Sequence, residues 1–351
     1  MIKIAVIPGD GIGKEVVEEG VKVLEKIEEL SGIKFDLHEY PFGAKHYLKT
    51  GELLPDWALE ELREYDAIYF GAIGDPRVKP GILERGILLK LRFSLDLYIN
   101  LRPVKLYHPK LTPLKGKTRI DMIFIRENTE GLYSGAGGFL RKGTKHEIAI
   151  QEMINTRFGV ERVIRFAFEY ARENGRKKVT LVDKANVLTY AHDLWQRVFS
   201  EVSLEYPEID TDHYYVDAMA MKMIRSPEIF DVVVTPNMFG DILTDLGAEI
   251  VGGLGLAASG NINPRGVSMF EPVHGSAPDI AGKGIANPLA AILTVSLMLD
   301  FLGLKRESRL VEKAVTKVIE ENKVTPDLGG KFKTNEVGNA VVNALEVLWD
   351  E

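Results

Sequence analysis

Apolar residues recur along the chain in two rhythms. Short, nearly continuous runs read as strands buried on both faces: "IKIAVI" from Ile2, "DAIYFGAIG" from Asp66, "KKVTLVDK" from Lys177 and "FDVVVTPNMF" from Phe230. Between them lie stretches whose apolar positions return every three or four residues and read as helices: "KEVVEEGVKVLEKIEEL", "PDWALEELREY", "VERVIRFAFEYARENG" and "YAHDLWQRVFSEV". "KFDLHEY", "RIDMIFIREN" and "IDTDHYYVD" add further strands, the last closing on Asp217. The alternation predicts an α/β fold with helices covering the faces of buried sheets and functional residues near the carboxyl ends of strands. "NPLAAILTVSLMLDFLGL", from Asn287, is the most apolar stretch, and Asp300 with its polar breaks predicts a buried helix and not a membrane span. The segment from Thr129 to Gly159, dense in glycine and polar residues, suggests no element.

Composition narrows the classes of function. A chain of 351 residues has room for two lobes, and 44 basic against 51 acidic residues leave a formal charge of -7, with no footprint for nucleic acid. Cysteine is absent, which removes disulfides, thiolate nucleophiles and Cys-rich zinc sites and leaves only oxygen or imidazole ligands for a metal. The first apolar stretch is too short for a signal peptide, so the expected location is the cytoplasm, without a membrane partner.

Four features carry candidate chemistry. In "GDILTD", Asp241 and Asp245 lie four residues apart on one face of a predicted helix, and Asp217 offers a third carboxylate. Such a set suits a hard divalent cation, while a capping Asp241, a solvated Asp245 and an Asp217 that closes a strand are the alternative. Arg92, Arg102 and Arg126 each stand where a strand-like segment meets a loop, and guanidinium forks match the carboxylates of a small dianion. Lys184, ending "KKVTLVDK", and Tyr133, in "TEGLY", are candidate proton carriers. Two glycine loops complete the set. "GDGIG" lacks the last spacing of the dinucleotide fingerprint and reads as a tight strand-to-helix turn or a phosphate cradle. "EPVHGSAPDIAGKGIANP" is a loop of small residues that can approach a flat ring and phosphates, with Asp279 able to accept from ribose hydroxyls, or else a plain surface loop.

These motifs, in order, resemble the β-decarboxylating dehydrogenases of 2-hydroxy acids, the isocitrate and isopropylmalate enzymes. The resemblance runs from "IPGDGIGKEV" through "LERGILLKLRFSLDLYINLRP", "IRENTEGLYSG", "VDKANVL", "YVDAMAM" and "NMFGDILTD" to "EPVHGSAPDIAGKGIANP". It implies two α/β domains with a shared central sheet, distinct from the Rossmann fold: residues 1–100 with 251–351 for the cofactor, and 101–250 for substrate and dimerisation. It implies that Arg92, Arg102 and Arg126 grip the malate carboxylates, that Tyr133 assists protonation, and that Lys184 takes part in proton transfer in a neighbouring subunit's cleft. Asp241, Asp245 and an Asp217 from the partner would surround Mg2+ or Mn2+, with Asp217 also near substrate. The loop from His274 through Gly275, Ser276, Ala277, Pro278, Asp279 and Ile280 to Asn287, together with Ile12, would hold the cofactor. Asp279 and Ile280 point to NAD, since relatives that use NADP carry a basic and aromatic pair there. Leu88 and Leu89 offer apolar surface for an isopropyl group, which implies oxidative decarboxylation of 3-isopropylmalate in leucine biosynthesis. Oxidation of tartrate or D-malate is the alternative. Arg85 departs from the pattern, because the acidic residue expected before the glycine-leucine segment stands one place earlier, as Glu84. The implied assembly is a homodimer with shared sites, with tetramers open.

Overall fold

A computed structural model describes residues 1–349. In chain order its first elements are β1 (Ile2–Gly9), α1 (Gly13–Ser31), β2 (Phe35–Glu39), α2 (Ala44–Thr50), α3 (Asp56–Leu62) and β3 (Ala67–Ala72). A π-helical turn, Glu84–Leu89, runs into α4 (Lys90–Ser94), followed by β4 (Ile99–Lys105), β5 (Asp121–Glu127), β6 (Gly137–Leu140) and β7 (Ile148–Gln151). Next come α5 (Arg157–Glu173), β8 (Lys178–Asp183), α6 (Ala191–Ser203), β9 (Asp210–Tyr215), α7 (Val216–Arg225), β10 (Val232–Thr235) and α8 (Asn237–Val251). The last are β11 (Ala258–Ile262), β12 (Ser268–Pro272), α9 (Leu289–Phe301), α10 (Lys305–Glu320) and α11 (Thr334–Trp349). The chain divides into two compact units. One comprises Met1–Leu97, Leu106–Thr118 and the chain from Ala248; the other comprises Tyr98–Lys105 and Arg119–Gly247.

In the first unit β1 pairs in parallel with β2 and β3, β3 in parallel with β12, and β12 antiparallel with β11. The period-two pattern of these strands feeds two cores. Ile4, Val6, Tyr69 and Phe270 pack under α1, α9, α10 and α11, while Ala5, Ile7, Ile68, Phe70 and Met269 pack with Phe42, Leu59, Leu62 and Ile87 on the opposite face. Burial on both faces explains why the strands read as unbroken apolar runs. Helix α9 has apolar neighbours on every side, since α1, α10, β11 and β12 all pack on it. Its apolar stretch is therefore a core helix, and among the described residues no helix is long and apolar enough to cross a membrane.

In the second unit β4 pairs antiparallel with β5, and β5, β10, β8 and β9 then follow as parallel neighbours. Helices α5 and α6 cover strands of this sheet. Parallel register places Arg126 beside Thr235, so the carboxyl ends of β5 and β10 open on the same side as the start of α8. Two local readings need correction. The strand expected to close on Asp217 ends at Tyr215, and Asp217 lies in the first turn of α7, where a carboxylate favours the helix dipole. The glycine-rich segment is not wholly irregular, because β6 and β7 pair as an antiparallel hairpin. All of its residues are exposed, so no inward-facing alternation marked it.

Candidate active site

The two carboxylates of "GDILTD" lie one turn apart on α8, inside the helix and not at its cap. Their repulsion is offset by two arginines buried beneath them. Arg126, only 1% exposed at the end of β5, donates from Nη1 to Asp241 Oδ1 at 2.5 Å, and its Nε and Nη2 both donate to Asn237 Oδ1, at 3.1 and 2.8 Å. Arg102 on β4 donates from Nε to Asn100 Oδ1 at 2.6 Å and from Nη1 to Thr244 Oγ1 at 2.7 Å. Its Nη2 reaches Asp241 Oδ1 at 3.5 Å, and its Nη1 lies 3.8 Å from Asp245 Oδ1. Tyr133 donates its hydroxyl proton to Asp241 Oδ2 at 2.9 Å, with the Arg126 guanidinium 5.2 Å from the centre of its ring. Gly240 makes the approach possible, because a Cβ there would sit 2.5 Å from Arg126 Cγ.

Beneath this cluster Glu127 is buried, and desolvation pushes its carboxyl above the ordinary range against the pull of hydrogen bonds from Thr129 and Glu130. Thr129 N and Oγ1 and Glu130 N donate to it at 2.6 to 3.0 Å, tightening the turn that leads to Tyr133. Asn237 joins the two parts, since its Nδ2 donates to Glu130 O at 3.3 Å. Lys184 and Asp217 form a pair of their own, Nζ to Oδ1 at 2.5 Å, and the ammonium holds the Asp217 carboxyl below its usual range.

In the first unit, "GDGIG" is a tight strand-to-helix turn. Asp10 accepts from Ala44 N at 2.7 Å and Gly74 N at 3.1 Å, and Ile12 N donates to Ser276 O at 2.8 Å. Gly11 has φ +54° and packs so closely that a Cβ would lie 2.0 Å from Ser276 O. The loop after β12 is pinned there, by Gly282 N donating to Glu15, and by Thr334 bonding Gly284 and Ala286. Ala277, Ile280 and Ala281 pack on Ile12, Val16, Ala286 and Ala291, leaving Gly275, Pro278 and Asp279 exposed. Asp279 makes no hydrogen bond among the described residues. His274 has a buried Nε2 without a partner, and burial pushes its ring pKa down. Asn287 is buried, accepting from Leu289 N and donating to Asp327. An exposed backbone at Gly275 with an unpaired carboxylate at Asp279 fits a dinucleotide's phosphates and ribose diol.

Arg92 in α4 is buried, donating from Nη2 to Glu271 Oε1 at 3.1 Å while its Nε has no partner. Leu88 and Leu89 are half-buried on the π-helical turn. Glu84 is half-buried and accepts from Gly81 N at 2.9 Å, whereas Arg85 is exposed.

The structure thus gathers Arg102, Arg126, Tyr133, Asp241 and Asp245, and separately Lys184 with Asp217. Reading of the sequence missed Asn100, Asn237, Gly240 and Thr244, whose only signal was their place beside the acidic and basic residues they serve. As a donor set, Asp241 at 38% and Asp245 at 59% exposure offer hard oxygens to a divalent cation at the surface of α8. Among the described residues no group of three or more His, Asp or Glu side chains could hold a metal, so a cation at these two carboxylates would need ligands from elsewhere.

The isocitrate/isopropylmalate dehydrogenase family model matches residues 3–341. A 3-isopropylmalate dehydrogenase of Thermobifida fusca is 56% identical over 98% of both chains, and one of Frankia casuarinae is 57% identical over 90% of this chain and 91% of its own. Among solved structures, isocitrate dehydrogenase from Methylococcus capsulatus superimposes with a TM-score of 0.89 at 41% identity, covering 98% of this chain and 99% of its own. A β-decarboxylating dehydrogenase from Thermococcus kodakarensis gives 0.83 at 37% identity, covering 100% and 98%. The two-unit α/β architecture, the paired carboxylates over buried arginines and these likenesses agree: the chain belongs to the isocitrate/isopropylmalate dehydrogenase family and is a dehydrogenase enzyme.

Proposed function

We propose that this enzyme oxidises and decarboxylates (2R,3S)-3-isopropylmalate to 2-oxoisocaproate and carbon dioxide, with NAD as acceptor, as a step of leucine biosynthesis. The observation that carries the reading is the clamp on Asp241, where two buried guanidiniums and the Tyr133 hydroxyl meet one carboxylate. It places two guanidiniums and a hydroxyl proton beside a candidate cation ligand, a cluster neutral by itself whose guanidiniums face substrate carboxylates once a cation takes up the charge of Asp241 and Asp245. The substrate choice is supported by the half-buried Leu88 and Leu89 and by relatives at 56% and 57% identity that bear the isopropylmalate name.

Arg92, Arg102 and Arg126 are assigned to the substrate carboxylates. Asp241 and Asp245, with Asp217 from a second copy, would hold Mg2+ or Mn2+. A cation held there would supply Lewis-acid polarisation of the C2 oxygen, and a nicotinamide held by the His274–Asn287 loop would supply the hydride acceptor. Lys184, after giving up its own ammonium proton to solvent, accepts the proton of the C2 hydroxyl at Nζ. The carboxylate on C3 is then β to a carbonyl, its bond to C3 breaks to release carbon dioxide, and Tyr133 supplies a proton to C3. Ile12 and the His274–Asn287 loop seat the dinucleotide. The exposed Asp279 accepts from ribose hydroxyls and repels a ribose phosphate, which favours NAD over NADP. A homodimer is supported by the β6–β7 hairpin, where Phe139, Leu140, Ile148 and Ile150 are all exposed.

The test is NADH formation with isopropylmalate, D-malate, tartrate and isocitrate side by side in magnesium buffer, with gel filtration of the same sample. Isopropylmalate is expected to give the highest kcat/KM and the chain to elute as a dimer. A higher kcat/KM on D-malate or tartrate rejects the substrate, and a fully active monomer rejects the shared site.

A further inference from the structure

We infer that His192 is a positioning residue, holding Lys184 in register through its backbone; the inference rests on the proposed role of Lys184 in proton transfer. His192 lies in the first turn of α6 and is fully buried. Lys184 N donates to His192 Nδ1 at 2.8 Å. A peptide N–H can only donate, so Nδ1 accepts and the ring proton sits on Nε2. Nε2 is buried and has no partner. Burial drives the imidazole pKa down to about 4, although nearby Asp183 pulls it up, which keeps the acceptor free of a proton at neutral pH.

The remaining backbone groups near Lys184 are held as firmly. Ala185 N donates to Asp183 Oδ1 at 3.0 Å, an oxygen also 3.1 Å from His213 Nε2, and Lys184 O accepts from Val187 N and Leu188 N at 3.0 and 2.9 Å. The His192 ring packs edge-on against Phe239 of α8, with centroids 5.4 Å apart. Just past the end of β8, the Lys184 main chain is therefore held at both N and O, and its Nζ stands 2.5 Å from Asp217 Oδ1. A buried imidazole with one unsatisfied N–H is a poor choice for packing alone, since an apolar ring would avoid that cost. What an apolar ring cannot do is accept from Lys184 N.

Four variants of the full-length enzyme test this with magnesium, NAD and isopropylmalate: H192F, H192N, K184A and the H192F/K184A double. Asn places an amide oxygen near the position of Nδ1. H192F is expected to lower kcat by about ten-fold or more, the scale of a displaced reacting group, with both KM values within about two-fold. H192N is expected to restore most of kcat, and the double variant to be no slower than K184A, because His192 acts only through Lys184. Should H192F fail to fold, H192Q replaces it: its amide sits near Nε2, so it should stay slow where H192N does not. Wild-type kcat in the H192F or H192Q variant, equal impairment of H192N, or multiplied losses in the double overturn the inference. If K184A keeps full kcat, the proton-transfer reading falls and the inference with it; if K184A is slow and H192F is not, only the inference falls.

Discussion

The two units display polar chemistry in opposite ways. In the second unit charge is cancelled locally: Asp241 answers Arg126, Arg102 and Tyr133, and Asn237 ties Arg126 to the Glu130 turn. In the first unit the His274–Asn287 loop is fastened at Ser276, Gly282, Gly284 and Ala286, leaving Asp279 at its surface without a hydrogen bond. A self-compensated buried cluster loses heavily when one member goes, because the others keep their desolvation cost. An exposed tip between anchors can change its chemistry with little effect on the fold. The comparison can be broken in five places.

The largest effect is expected from Arg126→Ala. It removes a nearly fully buried guanidinium and the main partner of Asp241, so kcat/KM should fall by about a thousand-fold or more, as for loss of a preorganised donor. Stability should fall by about 2 kcal/mol, less than for a sealed ion pair because Asp241 is 38% exposed. Steady-state kinetics and urea unfolding measure both. A variant with wild-type stability would mean the cluster is not self-compensated.

Next in free energy comes acid destabilisation through His192. Unfolded imidazole binds its proton near pH 6.5 and the buried ring only near about 4, so between these values the unfolded chain holds more protons. Stability is fully present above the upper value and is lost as pH falls through the window, by about 3 kcal/mol. Urea midpoints at pH 7 and 4.5 should differ less in H192N than in the parent. An equal difference would mean that other groups carry the acid response. Tyr133→Phe should lower kcat by about a hundred-fold, the low end for a lost proton donor, with little change in substrate KM. A change confined to KM would make the hydroxyl a binding group only.

The loop supplies the counterpart. Replacing Asp279 with Lys should shift the NAD to NADP preference in kcat/KM by about ten-fold or more, through removal of a repelled charge. Thermal stability should move by no more than about 0.5 kcal/mol, as for an exposed substitution. A large loss of stability would show that the tip is not energetically separate from its anchors.

What sequence reading recovered follows the same division. Asp241 and Asp245 were visible because helical spacing alone puts them on one face, and α9 because its run is apolar apart from a few polar breaks such as Asp300. Asn100, Asn237 and Thr244 were not, since an amide or hydroxyl declares its role only once Arg102 or Arg126 is placed against it. Gly240 needed the Arg126 side chain beneath it, and His192 needed the end of β8. The β6–β7 hairpin was hidden because exposure of both its faces leaves no apolar alternation to read. Asp217 was misplaced by a strand pattern that ran one turn into α7.

The smallest effect is expected at Arg85, the residue that departs from the family pattern. In an α-helix Arg85 would stand one turn before Leu88 and Leu89, where an acidic side chain is expected. The segment Glu84–Leu89 is instead π-helical, and its i to i+5 bonding widens the turn by one residue. Glu84 is half-buried and Arg85 exposed, so Glu84 and not Arg85 is expected to meet the substrate there. Arg85→Ala should therefore change kcat/KM for isopropylmalate by less than about two-fold, within the range of a surface substitution. Glu84→Gln removes a negative charge at that position and should raise the rate with isocitrate, which brings a third carboxylate, relative to isopropylmalate. A strong effect of Arg85→Ala with none from Glu84→Gln would mean that the π-turn does not set which residue the substrate meets.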